Sequence, residues 1–421
     1  MKFNNLKVVD QLDIKNKCVF LRLDLNVPII KGKITSYKRI NETIKTIDYL
    51  INEGAKVVIL SHFGRPKSID DIESKKFTLA PVAKELFKKI HGAKNCKFIE
   101  HSTGKDVENE IKKMEPKDVL VLENTRFNDI SLKTKKLVNN ESENSEELAK
   151  YWAGLCDVFV NDAFGAAHRK HASTYGIAAF QKNNAIGFLM RNELEMLNKV
   201  VSSAKSPFVV IFGGAKVSDK LKAVNAIINR ADKVIISGGM AYTFVAAQGF
   251  DVGKSMVEES MIPVAKELME KYKDKLCISS DFMCSPTFSD TKPEYRTQEE
   301  GMKGLMGLDI GKRSIKEFVK IIDTANTILW NGPMGVTEFS NYENGTNKIC
   351  EAIAKRTEAG AFTVIGGGDS AAAAEKLNKE SSFTFISTGG GASLRLIEGS
   401  GLDALISISK KSHWWNIFKR K

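Results

Sequence analysis

The chain has 421 residues, 43% of them hydrophobic and 27% charged, which suffices for a sizeable core and more than one domain. No apolar run approaches the roughly 20 residues of a membrane span, and Met1 to Leu6 lacks the apolar stretch of a secretory signal. The formal net charge of +12 rests mostly on lysines dispersed as singles and pairs, such as Lys75-Lys76, a solvated surface rather than the clustered stripe of a nucleic-acid binder.

Short apolar runs recur along the chain: Cys18–Leu23, Val57–Leu60, Val119–Leu122, Val158–Val160, Phe208–Phe212, Val234–Ile236, Thr327–Trp330, Phe362–Ile365 and Phe383–Ile386. They are apolar on both faces and rich in Val, Ile and Phe, the pattern of buried parallel strands. Segments of helical period lie between them. Ile40, Ile44, Ile47 and Ile51 share one face before a stop at Gly54. Residues 131–147 read as a polar loop leading into a helix, and Ile186–Lys205 as one helix, with Leu189, Glu193, Leu197 and Val200 at helical spacing.

Alternating strands and helices predict an α/β fold of two doubly wound parallel-sheet (Rossmann-like) domains joined by a helical hinge. The expected divisions are an N-terminal domain over 1–185, a hinge helix over 186–205 and a C-terminal domain over 206–400. A tail over 401–421 is expected to pack back near the N-terminal domain or to fray. Six cysteines without a CxxC pair are expected to be reduced thiols, and Cys277 and Cys284 are too isolated to make a zinc site.

Ligands of open α/β sheets bind at the carboxyl ends of strands. In the first half those ends carry Asp24-Leu25-Asn26, Ser61-His62-Phe63-Gly64-Arg65, Glu123 to Arg126 and Asn161 to Gly165. Together with Arg39, His168 and Arg169 they form a cationic set suited to a small polyanion, because the planar guanidinium fork matches carboxylate and phosphate. His168 and His171 have no convergent carboxylate motif to make a metal pair.

The second half is different. Of 31 glycines, 22 lie after residue 200, so its strand ends are mostly backbone. They carry Gly213-Gly214-Ala215-Lys216, Gly238-Gly239, Asn331 to Gly335, Gly366-Gly367-Gly368-Asp369-Ser370 and Thr388-Gly389-Gly390-Gly391. Glycine turns that open helices present unpaired N–H groups to phosphates, so several on successive strands predict a nucleotide. Gln248 to Ser255 resembles a P-loop, but Gly249 is too near Gly253-Lys254 and no strand precedes it; no G-x-G-x-x-G opens a helix.

The assembled motifs resemble the phosphoglycerate kinase family. Asp24 to Pro28, Ser61 to Pro66, Glu123 to Phe127 and Val160 to Arg169 are similar to its N-domain signatures. Gly213 to Lys220, Met306 to Asp309, Trp330 to Gly335, Gly366 to Asp369 and Ser387 to Ser393 are similar to its C-domain signatures, in the family's order. The resemblance implies reversible phosphoryl transfer from 1,3-bisphosphoglycerate to ADP, giving 3-phosphoglycerate and ATP. It implies Mg²⁺ with ATP or ADP, a cytoplasmic monomer and no requirement for nucleic acid; a polyanion or nucleic-acid binding module is the rival that the +12 charge suggests.

By motif, Asp24, Leu25, Asn26, Arg39, His62, Phe63, Gly64, Arg65, Arg126 and Arg169 would hold phosphoglycerate. Gly214, Lys216, Lys220, Gly238, Gly307, Leu308, Asn331, Glu338, Gly367, Gly368, Asp369, Ser370, Gly389, Gly390 and Gly391 would hold the nucleotide, with Asp369 facing the magnesium. Arg39, Lys216 and Lys220 would be catalytic. A regulator that had lost turnover would be expected to lack Arg39, Lys220 or Asp369, and all are present. Departures from the pattern are Thr125 at a commonly apolar position, Thr337 where Phe is common, which would loosen the nucleotide pocket, and a basic aromatic ending, Lys410 to Lys421.

Overall fold

A computed structural model describes residues 6–408. The chain divides into two units. One comprises residues up to Glu195 together with 401–408, and the other runs from Met196 to Ser400.

The first unit is built on a six-stranded parallel sheet, in the order Cys96–Ile99, Val119–Leu122, Lys56–Leu60, Cys18–Arg22, Val158–Asn161, Asn184–Ile186. The central strands are buried on both faces, as their continuous apolar runs require. The helix Lys38–Asn52 turns Ile40, Ile47, Leu50 and Ile51 into the core. It ends where the Gly54 N–H bonds Ile51 O at 3.0 Å and Gly54 takes φ +81°, a conformation glycine adopts without strain.

The second unit has its own six-stranded parallel sheet, in the order Leu276–Ile278, Lys233–Ile236, Phe208–Phe212, Thr327–Asn331, Phe362–Ile365, Phe385–Ile386. Strand order reverses between Phe208–Phe212 and Thr327–Asn331, and the crevice beyond such a reversal is where doubly wound sheets take ligands. Beside this sheet the unit holds an antiparallel one, Glu294–Thr297, Asp281–Ser285 and Met306–Ile310. Periodicity did not reveal it, because its outer strand Glu294–Thr297 is polar and half-exposed.

Two expectations shift in detail. Asn184–Ile186 is an edge strand, so the helix read from Ile186 begins at Phe188 and ends at Ser203. The boundary between the units falls inside that helix, at Glu195 and Met196. Of the predicted tail, Asp403–Ile408 is a short helix packed on the first unit, its Ala404 N–H bonding Ala167 O at 3.0 Å. Residues 409–421, with the basic aromatic ending, lie outside the described residues.

Candidate active site

In the first unit the cationic residues converge on the carboxyl edge of the sheet. Arg39 Nη1, from the first turn of Lys38–Asn52, bonds Asp24 Oδ1 at 2.9 Å and Asn26 O at 3.0 Å. Asn26 Oδ1 in turn accepts the Gly64 N–H at 2.9 Å, tying the loop after the first strand to the loop after the second. Asn124 joins a third loop to these, accepting the Phe63 and Arg126 N–H groups and donating to Phe63 O and Phe77 O. The predicted motifs therefore hold one another in place through bonds from the Asn26, Arg39 and Asn124 side chains, mostly to backbone.

Arg65, Arg126 and Arg169 line one cavity of about 510 Å³ with Lys67, Asn139 and His171. Arg126 Nη1 donates to Gly64 O at 2.6 Å, while its buried Nε has no partner. Burial, then the neighbouring Arg169, Arg22 and Arg65, push the Arg126 guanidinium down to about 10. Burial and Arg65 lower Arg169 as well. Crowded cations with an unmet buried donor are an arrangement that a bound anion relieves. Leu25 and Phe63, grouped by motif with the substrate residues, put their side chains in the core instead.

In the second unit a cavity of about 640 Å³ is walled by Gly214, Gly238, Gly239, Gly307, Leu308, Pro333, Met334, Val336, Glu338 and Asp369. Its floor is bare backbone for a steric reason. A Cβ on Gly307 would lie 2.5 Å from the Tyr242 hydroxyl, and one on Gly238 would lie 2.7 Å from Gly214 N. Gly307 reaches the cavity because it sits on the antiparallel strand Met306–Ile310, anchored by its N–H to Ser255 Oγ at 2.9 Å.

Lys220 Nζ donates to Asn331 O at 2.9 Å and also to Asn331 Oδ1. Burial pushes this ammonium down to about 8, against the upward pull of Asp369 and Asp219. Asn331 thus holds Lys220 rather than lining the cavity. Its other side-chain atom, Nδ2, is buried without a partner, and a Cβ at either Gly366 or Gly367 would lie 3.3 Å from it. An unmet amide donor against a glycine turn suits a phosphate oxygen.

The helices Gly368–Lys376 and Gly390–Ile397 begin side by side, since a Cβ on Gly390 would lie 3.4 Å from Gly367 Cα. Gly389 and Gly391 flank that contact. Asp369 is exposed in the first turn, whereas Ser370 is buried and accepts the Gly332 N–H at 2.7 Å, so it braces the loop. Lys216 is exposed and lies outside the cavity wall.

Several contributors escaped the sequence reading. Lys254, Met256, Tyr242 and Phe288 line the second cavity, and Phe288 packs on Phe339 with ring centroids 5.0 Å apart. Lys254 carried a signal, the abortive P-loop pattern, but no spacing rule ties that loop to the glycine turns. Thr337, expected to loosen this pocket, is absent from its wall. In the first unit Glu141, inside the supposed polar loop, is wholly buried. Among the described residues no group of three or more His, Cys, Asp or Glu side chains is placed to hold a metal by itself, and no helix is long and apolar enough to cross a membrane.

Comparison with known proteins agrees with this geometry. Residues 9–400 match the family model described as phosphoglycerate kinase. The chain is 46% identical over 404 residues to the phosphoglycerate kinase of Lacticaseibacillus casei, covering 96% of this chain and 99% of that one. It is 47% identical over 406 residues to that of Enterococcus faecalis, with the same coverage. Among solved structures, phosphoglycerate kinase from Coxiella burnetii superposes with a TM-score of 0.80 at 35% identity, and that from Pyrococcus horikoshii with 0.81 at 33%; each covers 96% of this chain and 99% of the other. With its two parallel-sheet units, its arginine-lined and glycine-lined cavities and this agreement across nearly its whole length, the chain belongs to the phosphoglycerate kinase family.

Proposed function

We propose that the arginine-lined cavity holds phosphoglycerate and the glycine-lined cavity holds the nucleotide, with Lys220 and Arg39 meeting the phosphoryl group in transit. The enzyme is a phosphotransferase with a carboxyl acceptor, interconverting 1,3-bisphosphoglycerate and ADP with 3-phosphoglycerate and ATP. The observation that carries the residue assignment is the Lys220 ammonium, held by two oxygens of Asn331 beside a glycine wall that includes Asp369.

In the direction of ATP consumption the attacking carboxylate is already ionised, so no base is needed to make the nucleophile. The protein's work is to position two anions and to neutralise charge that spreads over the phosphoryl oxygens. Asp24, Asn26, Arg39, His62, Arg65, Arg126 and Arg169 bind and orient phosphoglycerate. Gly214, Gly238, Gly307 and Leu308 receive the base and sugar along an apolar and backbone surface, with Glu338 at its edge. Asn331 Nδ2 and the turns at Gly367, Gly368 and Gly389 to Gly391 supply donors to the phosphates, and Lys216 adds an exposed cation nearby in sequence. Because the two ligands bind to different units, closure about the helix Phe188–Ser203 completes the site and excludes water.

The donor set fits Mg²⁺. Asp369 is an exposed carboxylate on the nucleotide cavity at the start of the helix Gly368–Lys376, and magnesium characteristically takes one or two carboxylates and fills its octahedron with phosphate oxygens and water. Bound there with the nucleotide, the ion would supply charge neutralisation to the phosphates. Each cavity is built within one unit of a single chain, which supports a monomer, and six free cysteines support a reducing, cytoplasmic setting.

The test is a coupled assay with 3-phosphoglycerate, ATP and Mg²⁺, run beside Lys220→Ala. Turnover requiring all three ligands and falling by at least about 10²-fold in the variant is expected. Undiminished turnover in the variant would remove Lys220 from the transfer step.

A further inference from the structure

Beneath the arginine-lined cavity lies a chain of buried polar groups that ligand binding does not by itself explain. Neither Arg22 nor Glu141 has exposed surface. A guanidinium and a carboxylate so buried are costly to desolvate, and only hydrogen bonding and pairing offset that cost. They are joined through one hydroxyl: Ser173 Oγ donates to Glu141 Oε1 and accepts Arg22 Nε at 2.8 Å. Glu141 also accepts the Ser173 N–H at 3.0 Å and Thr125 Oγ1 at 3.2 Å, which gives the unusual Thr125 hydroxyl a partner. At its other end Arg22 donates to Leu23 O and lies, through Nη2, 3.2 Å from His62 Nδ1.

A guanidinium has five donors and no acceptor, so the imidazole nitrogen at that contact must accept. The one proton of the neutral ring is thereby left on Nε2. We propose that Arg22, held in place by Ser173 and Glu141, is a positioning residue that fixes His62 as its Nε2–H tautomer, giving phosphoglycerate an uncharged, directed donor. The groups facing His62 agree with this. Arg22, Arg126, Arg169 and His171 all oppose a second proton on the ring, and Asp24, 4.0 Å from Nδ1, is the carboxylate against it. Burial above all, then Arg22, holds the ring's proton affinity well below that of an ordinary histidine. The arginines then carry the ligand's charge and His62 supplies direction, unchanged over the pH range in which a free histidine would switch. The inference rests on placing His62 at the phosphoglycerate site, but its test is separable from that placement.

The measurement is long-range ¹⁵N–¹H correlation on the full chain labelled with ¹⁵N-histidine, His62 being assigned by His62→Gln. One ring should show the Nε2–H pattern and not titrate between about pH 5 and 8. An Nδ1–H pattern, or a ring that takes up a proton in that range, would overturn the proposal. In Arg22→Met the ring should exchange tautomers, and KM for 3-phosphoglycerate should rise roughly tenfold, the loss of one hydrogen bond to a charged ligand. Arg22→Lys, which keeps a donor, should restore the tautomer in part. Should the Met variant not fold, Ser173→Ala removes the single oxygen steadying Arg22 Nε and should give a mixture of tautomers; an unchanged His62 signal there would count against the relay. Adding 3-phosphoglycerate to the wild type should move the His62 Nε2 resonance. A tautomer as expected with no response to the ligand would refute His62 at the substrate site while leaving the positioning role intact.

Discussion

Lys220 and Asn331 meet twice, the ammonium donating to both the main-chain and the side-chain oxygen of the residue that ends the strand Thr327–Asn331. The strand terminus thus aims the cation, and the same burial that steadies it weakens its hold on a proton. Lys220 is pushed down to about 8 mainly by desolvation. In the proposed transfer the charged form is the competent one, so it is present below that pH and lost as pH rises through it. We expect kcat/KM for ATP to fall about tenfold per pH unit above roughly 8, while kcat falls later because bound phosphate restores the ammonium. A pH profile of both parameters checks this. Lys220→Arg should remove the limb.

Asp369 acts on the same lysine from the other side, its charge holding the Lys220 ammonium up. Asp369→Asn should therefore move that limb to lower pH. Calorimetric titration should also show a roughly tenfold loss of affinity for Mg²⁺-ATP with little loss for ATP alone. Equal losses for both forms would argue that Asp369 contacts the nucleotide without the metal.

Gly64 links residues proposed to hold phosphoglycerate by its backbone, donating to Asn26 and accepting from Arg126. It takes φ +58°, and a Cβ there would run into the Phe77 ring. Gly64→Ala should raise KM for 3-phosphoglycerate by about tenfold, since two aligned ligands move together, and leave KM for ATP unchanged. Phe77→Leu in the same chain should recover part of the loss. Steady-state kinetics with each substrate varied in turn separates these outcomes.

Asp162 is a buried carboxylate whose Oδ1 accepts the Met190 N–H at 2.8 Å in the first turn of Phe188–Ser203, while Oδ2 has no partner. Burial pushes it up to about 6. A carboxyl raised above its unfolded value contributes most stability while protonated, below the unfolded pKa, and loses it as pH rises through the folded one. From this group alone the loss is ~3 kcal/mol between about pH 4 and 7. Asp162→Asn keeps the acceptor and gains a donor, so it should escape that loss. Urea unfolding across this range should show the variant gaining on the wild type as pH rises; a constant difference would refute the assignment.

Much of this protein is written locally. The central strands of both sheets and the helix Lys38–Asn52 follow from runs and periods in neighbouring residues, because burial on two faces or one stripe dictates side-chain type at fixed intervals. The glycine turns at 213–214, 366–368 and 389–391 were legible as local runs, although backbone contact excludes a Cβ at Gly213, 1.9 Å from Pro333 O, whereas one at Gly368 would meet open space. What local pattern could not supply are groups defined by distant partners. Glu141 reads as part of a polar loop, and only the meeting with Ser173 and Thr125 makes it a buried charge. Arg22 looks like a strand residue until His62 and Ser173 surround it. Leu25 and Phe63 share motifs with ligand residues yet point into the core, because side chains alternate about an extended backbone while a motif lists them all. Lys254 reaches the glycine-lined cavity from a loop, its N–H bonding Leu305 O beside the antiparallel strand Met306–Ile310, a pairing that no local period announces. Motif and spacing pointed to a polyanion in one half and a nucleotide in the other, and the reaction itself came from the family resemblance; the tertiary structure decided which charges are buried, since burial depends on what arrives from elsewhere in the chain.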